Sequence, residues 1–468
     1  MRRWVFVFGT LAAGASLAAW AALGWARARP GPGPGDAVPE LPGLEWFGPV
    51  GSHGGFGSEA RAFLLGLAPH TAPHGRLMYL RARQHGDAEA RGLVDGLPDT
   101  ERKVIRSLLG RGLGPGGPPG IVVCHSVPGA WAVPAPKFWA ASPCPPPVGG
   151  WRRSVGRAMF EADGVTQEQL ERLGKMGEVW VPTVWHAAKL LEAGLSAEGI
   201  HTVAQGVDTE RFHPGARQML LPPPGAELVF GSSRDVFRRA VPDVGEPRRP
   251  FVFTSVFKWE RRKGWDVLLA AYLEEFSALE DVALVLVTQP FHSTEDFPGE
   301  MRSWAQDRGH KKAQAHEPAV YVTGERVPDE NLPGLYTASG AFVLATRGEG
   351  WGRPVGEAMA CGVPAVVTNW SGPSTFVSEV NGFPVEVERL SEAEGFDAGL
   401  QWAEPSVDSL RRRMREAFAD RAGTHERGLR ARKLMETEYS LAAAAEQVLR
   451  RLEGIQSEWD REATIEEL

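Results

Sequence analysis

Cysteine is scarce. Only Cys124, Cys144 and Cys361 occur in 468 residues. No two have metal-site spacing, and three cannot build a disulfide framework. Cys124 sits in an apolar run and Cys361 in a helical one, so both read as small core residues. Cysteine therefore leaves the redox compartment undecided. Long blocks of like charge are also missing: 51 Lys and Arg stand against 58 Asp and Glu, a net charge of −7 spread along the chain. That pattern does not suggest a nucleic-acid partner. Short-period repeats are absent too.

What remains is an ordinary globular composition, 43% hydrophobic and 23% charged, with length for about two or three domains. The 55 glycines and 37 prolines are many, yet fewer than in a disordered or fibrous chain. Sixteen tryptophans raise the idea of carbohydrate stacking, but most read as core or loop packing. Residues 4–26, WVFVFGTLAAGASLAAWAALGWA, carry no charge, and the run is long enough to span a bilayer. Arg2 and Arg3 precede it, and Arg27 and Arg29 follow. The small excess of positive charge in front keeps the N-terminus cytoplasmic and sends the rest across. A cleaved signal peptide is the rival reading; the length favours an uncleaved anchor. Residues 1–29 are thus expected to be a membrane anchor and 30–46 a Pro/Gly stalk.

Two halves of similar grammar follow. In residues 47–245, GIVVCHSVPGAW (120–131), GEVWVPTVW (177–185) and IHTVAQGVD (200–208) read as strands alternating with helices. The first helix occupies 58–67, with Ser58 as its N-cap. Residues 213–250 are proline-rich and read as a linker with an insertion. Residues 246–430 repeat the alternation, with strands at 251–259, 282–288, 319–324, 341–346 and 364–369. Residues 431–468 are helical and are expected to cross back over the first half. The fold class is therefore α/β: two doubly wound, Rossmann-like domains facing a cleft, with ligands held beyond the carboxyl ends of the strands.

One such end reads GEGWGRPVGEAMACGVP (348–364), with Glu349 and Glu357 eight residues apart. Glycines let a ligand approach the backbone, Pro354 suits the first helical position, and a helix N-terminus suits phosphate. The two carboxylates suit sugar and ribose hydroxyls. A bare loop with this chemistry fits a nucleotide-sugar.

With FKWERRKGWDVLL (257–269), GGFGSEARAFLLGL, and VGRAMFEADGV through IHTVAQGVDTERF, this stretch resembles retaining GT-B glycosyltransferases of the family 4 type, over roughly residues 48–450. The resemblance implies that Lys263 contacts the donor diphosphate and that Lys258 stands where the family usually has arginine, which keeps the charge and loses the bidentate fork. It implies that Glu349 binds the hexose and Glu357 the ribose. Backbone amides of Trp351, Gly352 and Arg353 would meet donor hydroxyls and phosphate. Arg326 and Val327 would lie at the base, Gly55 and Phe56 in the loop that closes on the diphosphate, and His125 near the reacting carbon. No Asp-x-Asp occurs in the chain, so neither a metal nor another cofactor is expected.

The leading expectation is a membrane-anchored retaining glycosyltransferase moving a hexose from a nucleotide-sugar donor to an unknown acceptor. A sugar-nucleotide epimerase and a non-catalytic nucleotide-sugar or glycan-binding protein are the alternatives. Anchor, stalk and catalytic part resemble a type II protein of the Golgi or ER with a lumenal domain. The one sequon, Asn369-Trp370-Ser371, lies beside the expected donor site, where a glycan would obstruct the cleft, so it is expected to be unmodified.

Overall fold

Strand order explains how the two halves make their ends available. In the computed structural model, β1 (Leu44–Gly48), β2 (Leu80–Gln84), β3 (Ile121–His125), β4 (Arg153–Arg157), β5 (Glu178–Val181) and β6 (Ile200–Thr202) form a parallel sheet ordered β2-β1-β3-β4-β5-β6. The order reverses between β1 and β3, so the loops after these two strands open a crevice. In the second sheet, β7 (Glu227–Phe230), β8 (Phe251–Trp259), β9 (Val282–Pro290), β10 (Ala319–Thr323), β11 (Ala341–Leu344), β12 (Ala365–Thr368) and β13 (Gly382–Val385) run β13-β12-β11-β8-β9-β10-β7. Only β7 is antiparallel there. The reversal falls between β8 and β11, which brings the turn after β8 beside the loop after β11, although they are 86 residues apart.

The structure describes residues 41–466, except 53, 72–74, 86–96, 111–119, 133–141, 148–149, 232–249, 292 and 310–316. The apolar run 4–26 and the first part of the expected stalk lie outside the described residues. Among those described, no helix is long and apolar enough to cross a membrane. The end of the expected stalk is corrected: Leu41, Leu44 and Trp46 are buried in the N-terminal core. The linker reading also changes, because β7 arises within 213–250 and edges the second sheet.

Burial accounts for the strands. Every residue of β3, β5, β11 and β12 is buried, as parallel strands covered on both faces require. Helix α1 (Gly55–Leu67) starts three residues before the expected point. Gly54 is its N-cap, and the Ser58 hydroxyl instead donates back to the Gly54 and Gly55 carbonyls at 3.1 Å. The C-terminal helix α2 (Leu441–Glu466) returns to the first half and inserts Ala444, Val448, Leu449, Leu452, Ile455 and Trp459 into its core. A Cβ on Gly66 of α1 would lie 2.5 Å from the Leu441 carbonyl oxygen, so the two helices cross with their backbones close. Five tryptophans, Trp46, Trp131, Trp180, Trp259 and Trp351, are fully buried packing residues.

The reading of Cys124 as a lone core thiol is corrected. Cys124, at the end of β3, is bonded to Cys144, with Cα atoms 5.7 Å apart. Both are buried, and Ala132 N–H donates to the Cys144 carbonyl at 2.7 Å. Cys361 is a buried free thiol.

Candidate active site

The turn after β8 is a tight one, built on Gly264. Its φ is +66°, and a Cβ there would lie 1.7 Å from the Ala345 carbonyl oxygen. Only glycine allows both the left-handed backbone and that approach. The approach delivers two cations, Arg262 and Lys263, to the loop after β11. Arg261 points outward to Glu394. Arg262 donates to the Gly348 carbonyl at 2.6 Å and to Glu260 at 2.8 Å, and lies 3.7 Å from Glu349. Lys263 Nζ lies 2.6 Å from Glu349 Oε1. Arg347 braces the junction through Asp266 at 2.8 and 2.9 Å and Glu404 at 2.8 Å.

Glu349 is buried and held by more than its cations. The Thr346 hydroxyl donates to Oε1 at 2.9 Å, and the Glu349 amide donates to Ser371 Oγ at 2.9 Å. Burial pushes this carboxyl up, but Lys263 and Arg262 outweigh burial and hold it below the usual carboxylate range. Gly352, with φ +90°, caps helix α3 (Arg353–Ala360), whose first turn holds no acidic residue. Pro354 lacks an N–H and the Val355 and Gly356 amides both donate to the Gly352 carbonyl, at 2.9 and 3.2 Å. Trp351 contributes backbone only: its indole stacks on Phe376 at 4.9 Å in the core.

Glu357 marks the other end. Its two oxygens accept from Arg353 Nε at 2.5 Å and Tyr336 Oη at 2.9 Å. It opens onto a cleft lined by Ser58, Arg61, Gln205 and Arg211 of the first half and by Asp329 and Arg353 of the second. Arg61 is buried and fixes the loop after β1 by donating to the Val50 and Ser52 carbonyls at 2.7 and 2.6 Å. Arg326 is exposed beside Asp329 at 3.3 Å, and Val327 packs on the edge of the core. Glu357 lines this cleft, and Glu349 lies outside its lining. There Met159 of the first half lies between the glycine loops: a Cβ on Gly350 would sit 2.9 Å from its sulfur, and one on Gly55 3.8 Å from its methyl. Phe56 follows Gly55 at the start of α1, its ring 5.9 Å from that of His125.

Two expected residues are placed differently. His125 is fully buried: its Nδ1 accepts from Trp46 Nε1 at 3.0 Å and its Nε2–H donates to Glu59 at 2.8 Å. Arg157 completes the cluster by pairing with Glu59 and donating to the Val203 carbonyl at 2.6 Å. Burial raises the Glu59 carboxyl, and Arg157 and His125 reverse that, bringing it down to about 2. Both ring nitrogens of His125 are thus engaged inside the protein, with Phe56 the residue of the expected donor loop nearest to it. Lys258 is exposed on β8 with Nζ 4.1 Å over the Phe291 ring. The cation beside Lys263 at Glu349 is Arg262, which the sequence reading did not single out. Thr346, Ser371 and Tyr336 were missed as well; the RRK run was the one available signal.

Residues 248–396 match the family described as Glycosyl transferases group 1. The chain is 29% identical over 198 residues to D-inositol 3-phosphate glycosyltransferase 1 of Catenulispora acidiphila, covering 41% of each chain. It is 37% identical over 94 residues to O-antigen chain mannosyltransferase B of Escherichia coli, covering 20% of each. The chain thus spans less than half the length of these curated relatives. Among solved structures, sucrose-phosphate synthase from Thermosynechococcus elongatus aligns with TM-score 0.55 and 16% identity, over 89% of this chain and 99% of that one. Anabaena HepE in complex with UDP-glucose aligns with TM-score 0.54 and 14% identity, over 88% and 100%. At these identities the structural likeness is one of fold: the protein has an α/β, GT-B-like fold, and part of its second half, residues 248–396, is similar to the glycosyl transferases group 1 family.

Proposed function

We propose that the protein is a retaining glycosyltransferase that moves a hexose from a nucleotide-sugar donor, without a metal, to an acceptor whose chemistry is open. The observation that carries this reading is the Lys263–Glu349 pair, with Arg262 beside it, at the reversal point of the second sheet. Cations there suit a diphosphate, the carboxylate suits hexose hydroxyls, and Glu357 in the cleft suits a ribose diol. A UDP-glucose complex among the proteins of similar fold supports a donor of this class.

The chemistry follows from charge. As the bond from the anomeric carbon to the diphosphate oxygen breaks, negative charge grows on the leaving group. Lys263 and Arg262 are fixed in advance to receive it. The acceptor hydroxyl oxygen bonds to the anomeric carbon on the face the diphosphate leaves, and its proton passes to the departing phosphate oxygen. Lys263 must exchange Glu349 for phosphate when donor enters, which frees the carboxylate for the sugar. Closure of the two halves keeps water out.

The same proposal places these residues in an oxidising compartment, beyond a membrane crossed by residues 4–26. The Cys124–Cys144 bond supports it, because such bonds persist outside the reducing cytosol. Alkylation of the purified protein with and without reductant tests this: two further thiols should appear on reduction. The function is tested by incubating the protein with UDP-, GDP- and ADP-sugars and an acceptor panel. A transferase releases nucleoside diphosphate and glycosylates an acceptor. An epimerase alters the sugar instead, and a binding protein does neither.

A further inference from the structure

The cleft at Glu357 is rich in charge, and all but one of its charges are matched. Arg211 lies 2.9 Å from Glu101. Arg353 Nε donates to Glu357 at 2.5 Å. Asp329 pairs with Arg326 at 3.3 Å, and Asp208 accepts from the Glu210 and Arg211 amides at 3.1 and 3.0 Å. The exception is Arg61. It is 5% exposed and lines the same cleft, yet among the described residues no carboxylate pairs with it. Its hydrogen bonds go to two main-chain carbonyls, Val50 at 2.7 Å and Ser52 at 2.6 Å, and both leave from Nη1. Among the described residues nothing accepts from Nε or Nη2. Neither nitrogen is one of the sealed polar atoms that lack a partner, so both touch open space.

The guanidinium is also held still. The Ser52 carbonyl is wedged against α1, where a Cβ on Gly57 would lie 2.3 Å from its oxygen. Gly57 and Arg61 are one turn apart on that helix. Helix and loop thus fix the side chain between them and leave one edge of its fork unused. That edge, Nε with Nη2, can give two parallel hydrogen bonds to two oxygens of one phosphate. Burial, then the charge of Arg353, bring Arg61 down to about 10 against the opposing pull of Glu101 and Asp329. A buried cation with unused donors is costly, and an anion in the cleft relieves that cost.

The place of Arg61 says which anion. The cleft is lined by Glu357 and Arg353. In the function proposed above Glu357 holds the ribose, while Lys263 and Arg262, at Glu349, face the phosphate joined to the hexose. The phosphate joined to the ribose stands nearer Glu357. We propose that Arg61 is a phosphate-binding residue supplied by the first half, its Nε and Nη2 donating to oxygens of the ribose-linked phosphate of the donor. The proposal rests on the nucleotide-sugar reading and divides the diphosphate between two sets of cations, one from each half. The competing account is that Arg61 only braces the loop after β1.

The test titrates uridine, UMP and UDP, with the matching guanosine and adenosine sets, against wild-type protein, Arg61→Gln, Arg61→Lys and Lys263→Ala. Unliganded melting is recorded for each. In one set the wild type should bind the monophosphate about tenfold or more tighter than the nucleoside. Arg61→Gln should remove most of that preference and leave the nucleoside within about twofold. Arg61→Lys, which keeps the charge and loses the fork, should retain part of it. Lys263→Ala should keep the preference and lose about tenfold or more on the diphosphate alone. An unchanged preference in Arg61→Gln overturns the proposal. Parallel loss of nucleoside and monophosphate also overturns it, in favour of the loop brace. If neither Arg61 variant folds, Lys263→Ala decides: a preference that disappears there puts the ribose-linked phosphate on Lys263 and overturns the assignment. A wild type that holds UDP, GDP or ADP tightly but does not distinguish monophosphate from nucleoside overturns the role of Arg61 alone. A wild type that binds no member of any set defeats the nucleotide-sugar reading itself.

Discussion

Lys263 and Glu349, 86 residues apart, meet at 2.6 Å across the reversal point of the second sheet. Each satisfies the other, so the two side chains form one unit, the diphosphate cation and hexose carboxylate of the function proposed above. Lys263→Ala should cut turnover about 100-fold or more, the scale for losing a preorganised donor to a developing oxyanion. Arg262, still 3.7 Å from Glu349, should keep the variant folded. Steady-state kinetics with matched melting curves check both.

Glu357→Ala should act mainly on donor affinity. The change removes the acceptor of Arg353 and of the buried Tyr336 hydroxyl. Donor binding should weaken about tenfold, which is about 1.4 kcal/mol. Stability should fall by about 1–3 kcal/mol for the stranded hydroxyl. Titration calorimetry and chemical denaturation separate the two effects.

Gly264→Ala tests the turn that brings the cations in. The variant needs a left-handed alanine, which costs about 1–2 kcal/mol, with its Cβ 1.7 Å from a carbonyl oxygen. The turn must shift, carrying Lys263 off Glu349. Melting should drop and turnover should fall as far as in Lys263→Ala.

Acid should destabilise the fold from about pH 6.5 downward. His186 is fully buried and burial lowers it to about 3, the Phe160 carbonyl and other groups offsetting only part. Below about pH 6.5 the unfolded chain takes up this proton and the native chain does not. Stability from this group is therefore complete above 6.5 and lost as pH falls toward 3. The loss is about 1.4 kcal/mol per pH unit, roughly 2 kcal/mol by pH 5. Denaturation midpoints from pH 8 to 5 should show that slope, and His186→Asn should reduce it.

The sequence made the second half readable because its strands are short apolar runs ending in glycine-bearing turns, and because Lys263, Glu349 and Glu357 stand in recognisable order. It did not show that Arg262 joins Lys263 at Glu349 while Arg261 turns outward, since a tight turn points neighbours in different directions. The surroundings of His125 were equally hidden: Trp46 and Glu59 arrive from 79 and 66 residues away. The Cys124–Cys144 bond joins residues 20 apart in sequence, a pairing that spacing does not reveal. Helix α1 begins before Ser58 because glycines 54 and 55 serve as cap and first residue, a use of glycine that periodicity overlooks.

The account stands or falls on whether the Lys263–Glu349 site handles a nucleotide-sugar. Its most direct measurement is nucleoside diphosphate release from UDP-, GDP- and ADP-sugars by wild-type and Lys263→Ala protein under identical conditions. The predicted result is release from at least one donor by the wild type, lowered about 100-fold or more in the variant. Release at equal rates by both proteins, or from no donor by the wild type, would contradict it.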